Sequence, residues 1–142
     1  MRLWIALILL PVSAWAADAT GDVQRELEAQ RRLENSTWAA ALFLESKALD
    51  QQAKVCGSRI EGFAAQFDPA FAKWRERNAS VLMDGEAFLR AAAVSEGKNF
   101  DIETAKLVGQ STKMLEHASP ALFAENCEAL QWWVSQPPPA SQ

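Results

Sequence analysis

From residue 21 to residue 136 the apolar side chains recur every three or four positions, and no stretch alternates apolar with polar long enough to make a half-buried strand. That period commits the chain to helices. It predicts an all-α fold in which each helix buries one stripe against its neighbours.

Punctuation divides the helical run. Residues 22 to about 56 read as one long helix, or two joined near Asn35-Ser36, because Asn and Ser are poor in helix interiors and good at starts. Gly57 stands where a helix C-terminus favours it. A short helix is expected over 59–66. Asp68-Pro69 has the form of a cap followed by proline at the first helical position, so a helix is predicted from about 69 to 95. Residues 96–100 read as a loop, Asp101 as the cap of a helix running to about His117, and Ser119-Pro120 as the start of a last helix, 120–135. Three prolines at 137–139 end it. Short connections between four main helices, with a fifth short one after the first, predict an antiparallel helical bundle over residues 17–136, followed by a proline-rich disordered tail at 137–142.

Residues 1–16 combine Arg2, an apolar run from Leu3 to Val12 and the small-residue ending Ser13-Ala14-Trp15-Ala16, the pattern of a cleaved export signal. The run is shorter than the ~20 residues a bilayer span needs. Cleavage after Ala16 predicts a product of about 126 of the 142 residues in the periplasm, or secreted beyond it, without a stable membrane anchor. Losing Arg2 takes the formal charge from −4 to −5, which offers no basic face for nucleic acid or anionic lipid.

The chain contains two cysteines, Cys56 and Cys127. In an oxidising compartment they are expected to form one disulfide, tying the end of the first helix to the middle of the last; two buried free thiols are the alternative. No C-x-x-C and no histidine cluster points to a redox or metal site.

Successive residues of a helix stand about 100° apart, so some polar groups fall among apolar ones on a shared face. On the first helix Trp38, Leu42, Leu49, Ala53 and Cys56 share a face with Glu45 near its middle, which predicts a buried carboxylate needing a partner. On the 69–95 segment Phe71, Trp74, Val81, Leu82, Phe88, Leu89 and Ala92 share a face that includes Asn78 and Gly85. Gly85 admits a close helix approach or marks a kink. Asn78 must satisfy both ends of its amide, on a backbone group at a helix end or on Glu45. Leu107, Val108, Met114, Leu115 and Ala118 form the next apolar face. His117, the sole histidine, points away from that face near the helix C-terminus, where the dipole favours a cation.

Phe123, Cys127, Leu130 and Val134 form the stripe the disulfide turns inward. Trp133 lies roughly 95° from that stripe and is expected half-buried; Trp132 falls near the opposite side with Leu122 and is expected to be the more exposed ring.

No G-x-S-x-G, H-E-x-x-H, C-x-x-C-H, phosphate loop or dinucleotide fingerprint occurs, and no cofactor is implied. Three readings follow. The first is a non-enzymatic protein that binds another protein of the cell envelope, as an inhibitor, immunity-type protein, chaperone or adaptor, with Trp132 and Leu122 as contacts. The second is a bundle carrying a small apolar ligand between its helices, lined by Trp38, Trp74 and Phe88 with Glu45 and Asn78 as the polar pair. The third, an enzyme using Glu45 as acid or base, requires that carboxylate to be buried.

Overall fold

A computed structural model describes residues 13–136, with side chains from Gly21 onward; the expected signal run through Val12 and the expected tail at 137–142 lie outside them. Among the described residues there are five helices and no strand: α1 (Ser13–Arg59), α2 (Phe63–Arg77), α3 (Ala79–Ser95), α4 (Phe100–Glu116) and α5 (Pro120–Ser135). The fold is all-α, as the period predicts.

The chain divides into two compact units, one up to Asn35 and one from Ser36 onward. In the first, side chains 22–35 are all exposed, and its polar contacts include the short-range pairs Arg25–Asp22 and Gln30–Glu34, both at 3.1 Å. The second unit holds the core. Helix α1 continues through Asn35-Ser36 without a break.

Helix α2 departs most from the expected plan. Pro69 lies inside it rather than at its start, and the Asp68-Pro69 cap does not form. An interior proline costs about 3 kcal/mol because it removes one backbone hydrogen bond and crowds the preceding turn. Against that cost stand four buried rings, Phe63, Phe67, Phe71 and Trp74, spaced four, four and three residues apart on one face. Each contributes about 1.5–3 kcal/mol by leaving water, so their sum outweighs the proline. Successive ring centroids are 5.4, 5.2 and 5.8 Å apart, and Trp133 of α5 extends the row at 4.9 Å from Trp74.

The expected 69–95 helix is instead two helices meeting at Asn78. This residue ends α2 with its backbone N–H donating to Trp74 O at 3.1 Å, while its side-chain Nδ2 donates to the same carbonyl at 2.8 Å. Its own carbonyl accepts from Leu82 N at 2.9 Å, so one buried residue closes one helix and opens the next.

Glycine positions are also redistributed. Gly57 falls within α1; Gly62, at φ 77°, provides the turn into α2. Gly97, at φ 64°, ends α3 in a Schellman motif, with Lys98 N donating to Ala93 O at 2.9 Å and Gly97 N to Val94 O at 3.1 Å. Asn99 rather than Asp101 caps α4, its side chain accepting from Ile102 N at 3.1 Å. Ser119 caps α5 with Pro120 at its first position, as expected.

Cys56 and Cys127 form the expected disulfide, and both are almost wholly buried. Leu49, Ala53, Leu115, Phe123, Val134 and the α2 rings pack around it. Arg59, the last residue of α1, closes the same end: its guanidinium lies 4.8 Å from the Phe123 ring centroid and donates to Glu116 O at 3.4 Å. At the other end of the core Gly85 of α3 meets the α1 backbone so closely that a Cβ there would overlap the carbonyl of Ala39. The expected close approach at Gly85 is therefore made, with no side chain between the two backbones.

Candidate functional site

Two of the expected site residues, Trp38 and Glu45, stand outside the buried face of α1. The face of α1 that the second unit buries is Ala39, Ala40, Phe43, Ser46, Ala48, Leu49, Ala53 and Cys56. It is centred away from Trp38, which is 50% exposed, and Glu45 is exposed as well. The cause is the contact at Gly85: a backbone that approaches this closely selects small side chains beneath it, so Ala39 and Ala40 are covered and the large indole one position earlier is not. With Glu45 exposed, neither the buried carboxylate nor the Glu45–Asn78 pair forms, and Asn78 Nδ2 donates to Trp74 O.

On α4, Val108 and Leu115 are buried, but Leu107 is exposed and Met114, at 77%, more so; the expected apolar face is narrower than its sequence suggests. Val81, Leu82, Phe88, Leu89 and Ala92 of α3 are half-buried rather than buried. His117 is exposed at the end of α4, with Nδ1 2.8 Å from Lys113 O, in the expected outward direction.

Helix α5 carries the surface features. Phe123, Cys127 and Val134 are buried, Leu130 is half-buried, and Trp133 is half-buried against Trp74. Trp132 is 64% exposed. The two indoles thus differ as expected, Trp133 half-buried and Trp132 outward. Trp132 and Leu122 do not share one surface, however: they border different grooves on the two sides of α5.

On the first side, α1, α4 and α5 enclose an open groove of about 430 Å³. Leu49, Leu115, Leu130 and Trp133 form its apolar lining, with Met114 and Leu122 exposed beside them and Glu45, Gln52, Ser111 and Asn126 supplying polar groups. On the second side, α2 and α5 border a groove of about 370 Å³. Phe67 and Val134, each 1% exposed, lie in it beside Trp132, Glu128 and three polar side chains, Gln66, Gln131 and Ser135. Glu128 is the one charged residue among those bordering it, and it stands four residues before Trp132, hence one helical turn away on the same side of α5. Glu128 is not among the residues the apolar periodicity singles out; its i, i+4 relation to an outward indole is the signal that identifies it.

Two further grooves, near Phe43 and Lys47, mix both signs of charge. In one of them Arg90 of α3 lies 4.0 Å from the Phe100 ring centroid of α4, a contact between the two helices, and within α3 it donates to Glu86 Oε1 at 2.7 and 2.9 Å. None of the four grooves is bordered by Trp38, Trp74 or Phe88. No group of three or more His, Cys, Asp or Glu side chains suited to a metal ion occurs among the described residues. No helix among them is long and apolar enough to cross a membrane.

Comparison with protein-family models, with curated proteins and with solved structures finds no match for this chain.

Proposed function

We propose that this chain is a small exported protein of the periplasm, or secreted beyond it, that binds another protein of the cell envelope and performs no chemistry of its own. The observation that carries this reading is Trp132: α5 holds one indole of an adjacent pair against Trp74 and leaves the other 64% exposed beside an apolar groove. Tryptophan is enriched, with tyrosine and arginine, among the residues that carry most of the binding energy of protein interfaces. The disulfide is compatible with the oxidising compartment to which the signal directs the chain. An antiparallel bundle for the principal helices of the second unit belongs to the same proposal, supported by connections of three, four and three residues at the α1–α2, α3–α4 and α4–α5 junctions. Inhibitor, immunity-type protein, chaperone and adaptor are the roles consistent with it.

The test is capture from envelope extract with wild type and Trp132→Ala. Truncating an interface anchor of this kind costs about 2 kcal/mol or more, roughly a 30-fold loss of affinity. The same proteins recovered in the same amounts by both forms would overturn the reading.

A second reading rests on the α1–α4–α5 groove, whose volume of about 430 Å³ falls within the range of small-ligand sites and whose lining is mainly apolar. Here the ligand would be a small apolar molecule held against Leu49, Leu115, Leu130 and Trp133, rather than between Trp38, Trp74 and Phe88. Native mass spectrometry of protein purified from the periplasm tests it, with a bound mass expected in wild type and lost in Leu130→Glu. The acid–base reading of Glu45 rested on burial, and that side chain is exposed.

A further inference from the structure

Resting on the docking role of Trp132, we infer that the group its groove receives is a cationic side chain, arginine or lysine, from a basic segment of the partner protein. Three observations combine. Glu128 and Trp132 stand one turn apart on α5 and border the same groove, so an indole and a carboxylate can face one incoming group. No basic residue is among those bordering it, and Glu128 is exposed, so the charge is not neutralised from within the site. Phe67 and Val134 close the base with apolar surface, while Gln66, Gln131 and Ser135 leave amides and a hydroxyl at its edge.

An arginine suits each of these features. Its alkyl stem packs along apolar surface, its planar guanidinium stacks on the indole, the aromatic ring that attracts cations most strongly, and its remaining N–H groups reach a carboxylate in a charge-assisted hydrogen bond. An acidic segment would meet Glu128 with like charge. A purely apolar one would desolvate that carboxylate with no compensating partner. The chain's formal charge of −4 adds long-range attraction of the same sign.

The test is a titration of the full chain, tail included, with a blocked peptide of arginines spaced by glycine, and with its citrulline counterpart of the same shape and no charge. The readout is the Trp132 indole N–H resonance, assigned through Trp132→Phe. The expected result is a saturable shift with the arginine peptide, little or none with the citrulline peptide, and about tenfold weaker binding in Glu128→Gln or at high salt. Equal shifts from both peptides, an unchanged titration in Glu128→Gln, or no response to arginine would overturn the inference. So would a Trp132 resonance that moves on removal of residues 137–142 or on dilution without peptide, which would assign the groove to the chain's own tail or to a second copy. If arginine fails but Trp132→Ala still abolishes capture, the docking role stands and its cationic chemistry does not.

Discussion

Single residues set the closest contacts in this protein, and Gly85 is the most constrained of them. A methyl group there meets the Ala39 carbonyl, which is backbone and cannot rotate away. Gly85→Ala is therefore expected to cost about 1–3 kcal/mol through overpacking, even though alanine is the better helix former. Urea unfolding checks the sign: a stabilised variant would show that α3 does not approach α1 as described. The exposed Glu96–Lys98 pair illustrates the opposite limit. The side-chain hydrogen bond from Lys98, reinforced by its charge, holds the Glu96 carboxyl below its ordinary value, and the reciprocal contact raises the Lys98 ammonium. A lowered carboxyl stabilises above its unfolded value and loses that contribution as pH falls through the folded one. A raised ammonium stabilises below its unfolded value and loses it as pH rises through the folded one. The pair thus contributes equally across neutral pH, and Glu96→Gln is expected to leave the melting temperature at pH 7 nearly unchanged, since both groups are solvated and screened. Trp38 and Glu45 belong to this scale too. The face buried in place of theirs takes in Phe43, whose apolar signal the stripe through Trp38 leaves out, and Ala39 and Ala40, whose apolar signal is weak and whose covering depends on a glycine forty-six positions after Ala39.

At the scale of the helix, Pro69 shows which of two local signals prevails. Asp68-Pro69 has the form of a helix start, yet Phe63, Phe67, Phe71 and Trp74 run through it on one face. The apolar stripe and the start signal made conflicting predictions, and the four buried rings outweigh the single lost hydrogen bond. Replacing the proline should then remove a penalty without touching the core, since position 69 is exposed. Pro69→Ala is expected to stabilise the protein by about 1–3 kcal/mol, seen as a raised midpoint in thermal or urea unfolding. A loss of stability instead would mean that the ring makes packing contacts of its own. Asn78, by contrast, was legible as a buried amide bonded to a helix end, and its role at the α2–α3 junction is that reading made specific. The caps divide in the same way: Ser119-Pro120 forms as written, while Asn99 takes the place expected of Asp101 two residues on. Both Asn99 and Asp101 can accept an N-terminal hydrogen bond, and the exit from the Schellman turn at Gly97 determines which one stands at the junction.

For the molecule as a whole, the disulfide is the strongest long-range constraint. It joins residues 71 positions apart, for which the chain-entropy model gives about 4 kcal/mol. Reduction under native conditions, or Cys56→Ala with Cys127→Ala, is expected to lower the unfolding free energy by a comparable amount; a change under about 1 kcal/mol would show that strain or residual denatured structure offsets it. The helical period, the pairing of the two cysteines and the difference in exposure between Trp132 and Trp133 follow from sequence alone, because each is local or is the sole pairing available. Which side of α1 faces the core, where the long middle segment breaks, and the meeting of Glu128 with Trp132 in one groove were decided by tertiary packing. The physical reason is that helix period specifies a stripe of apolar residues to within a turn, whereas the distance between two backbones determines how large the side chains beneath them can be. That distance depends on residues far apart in the chain.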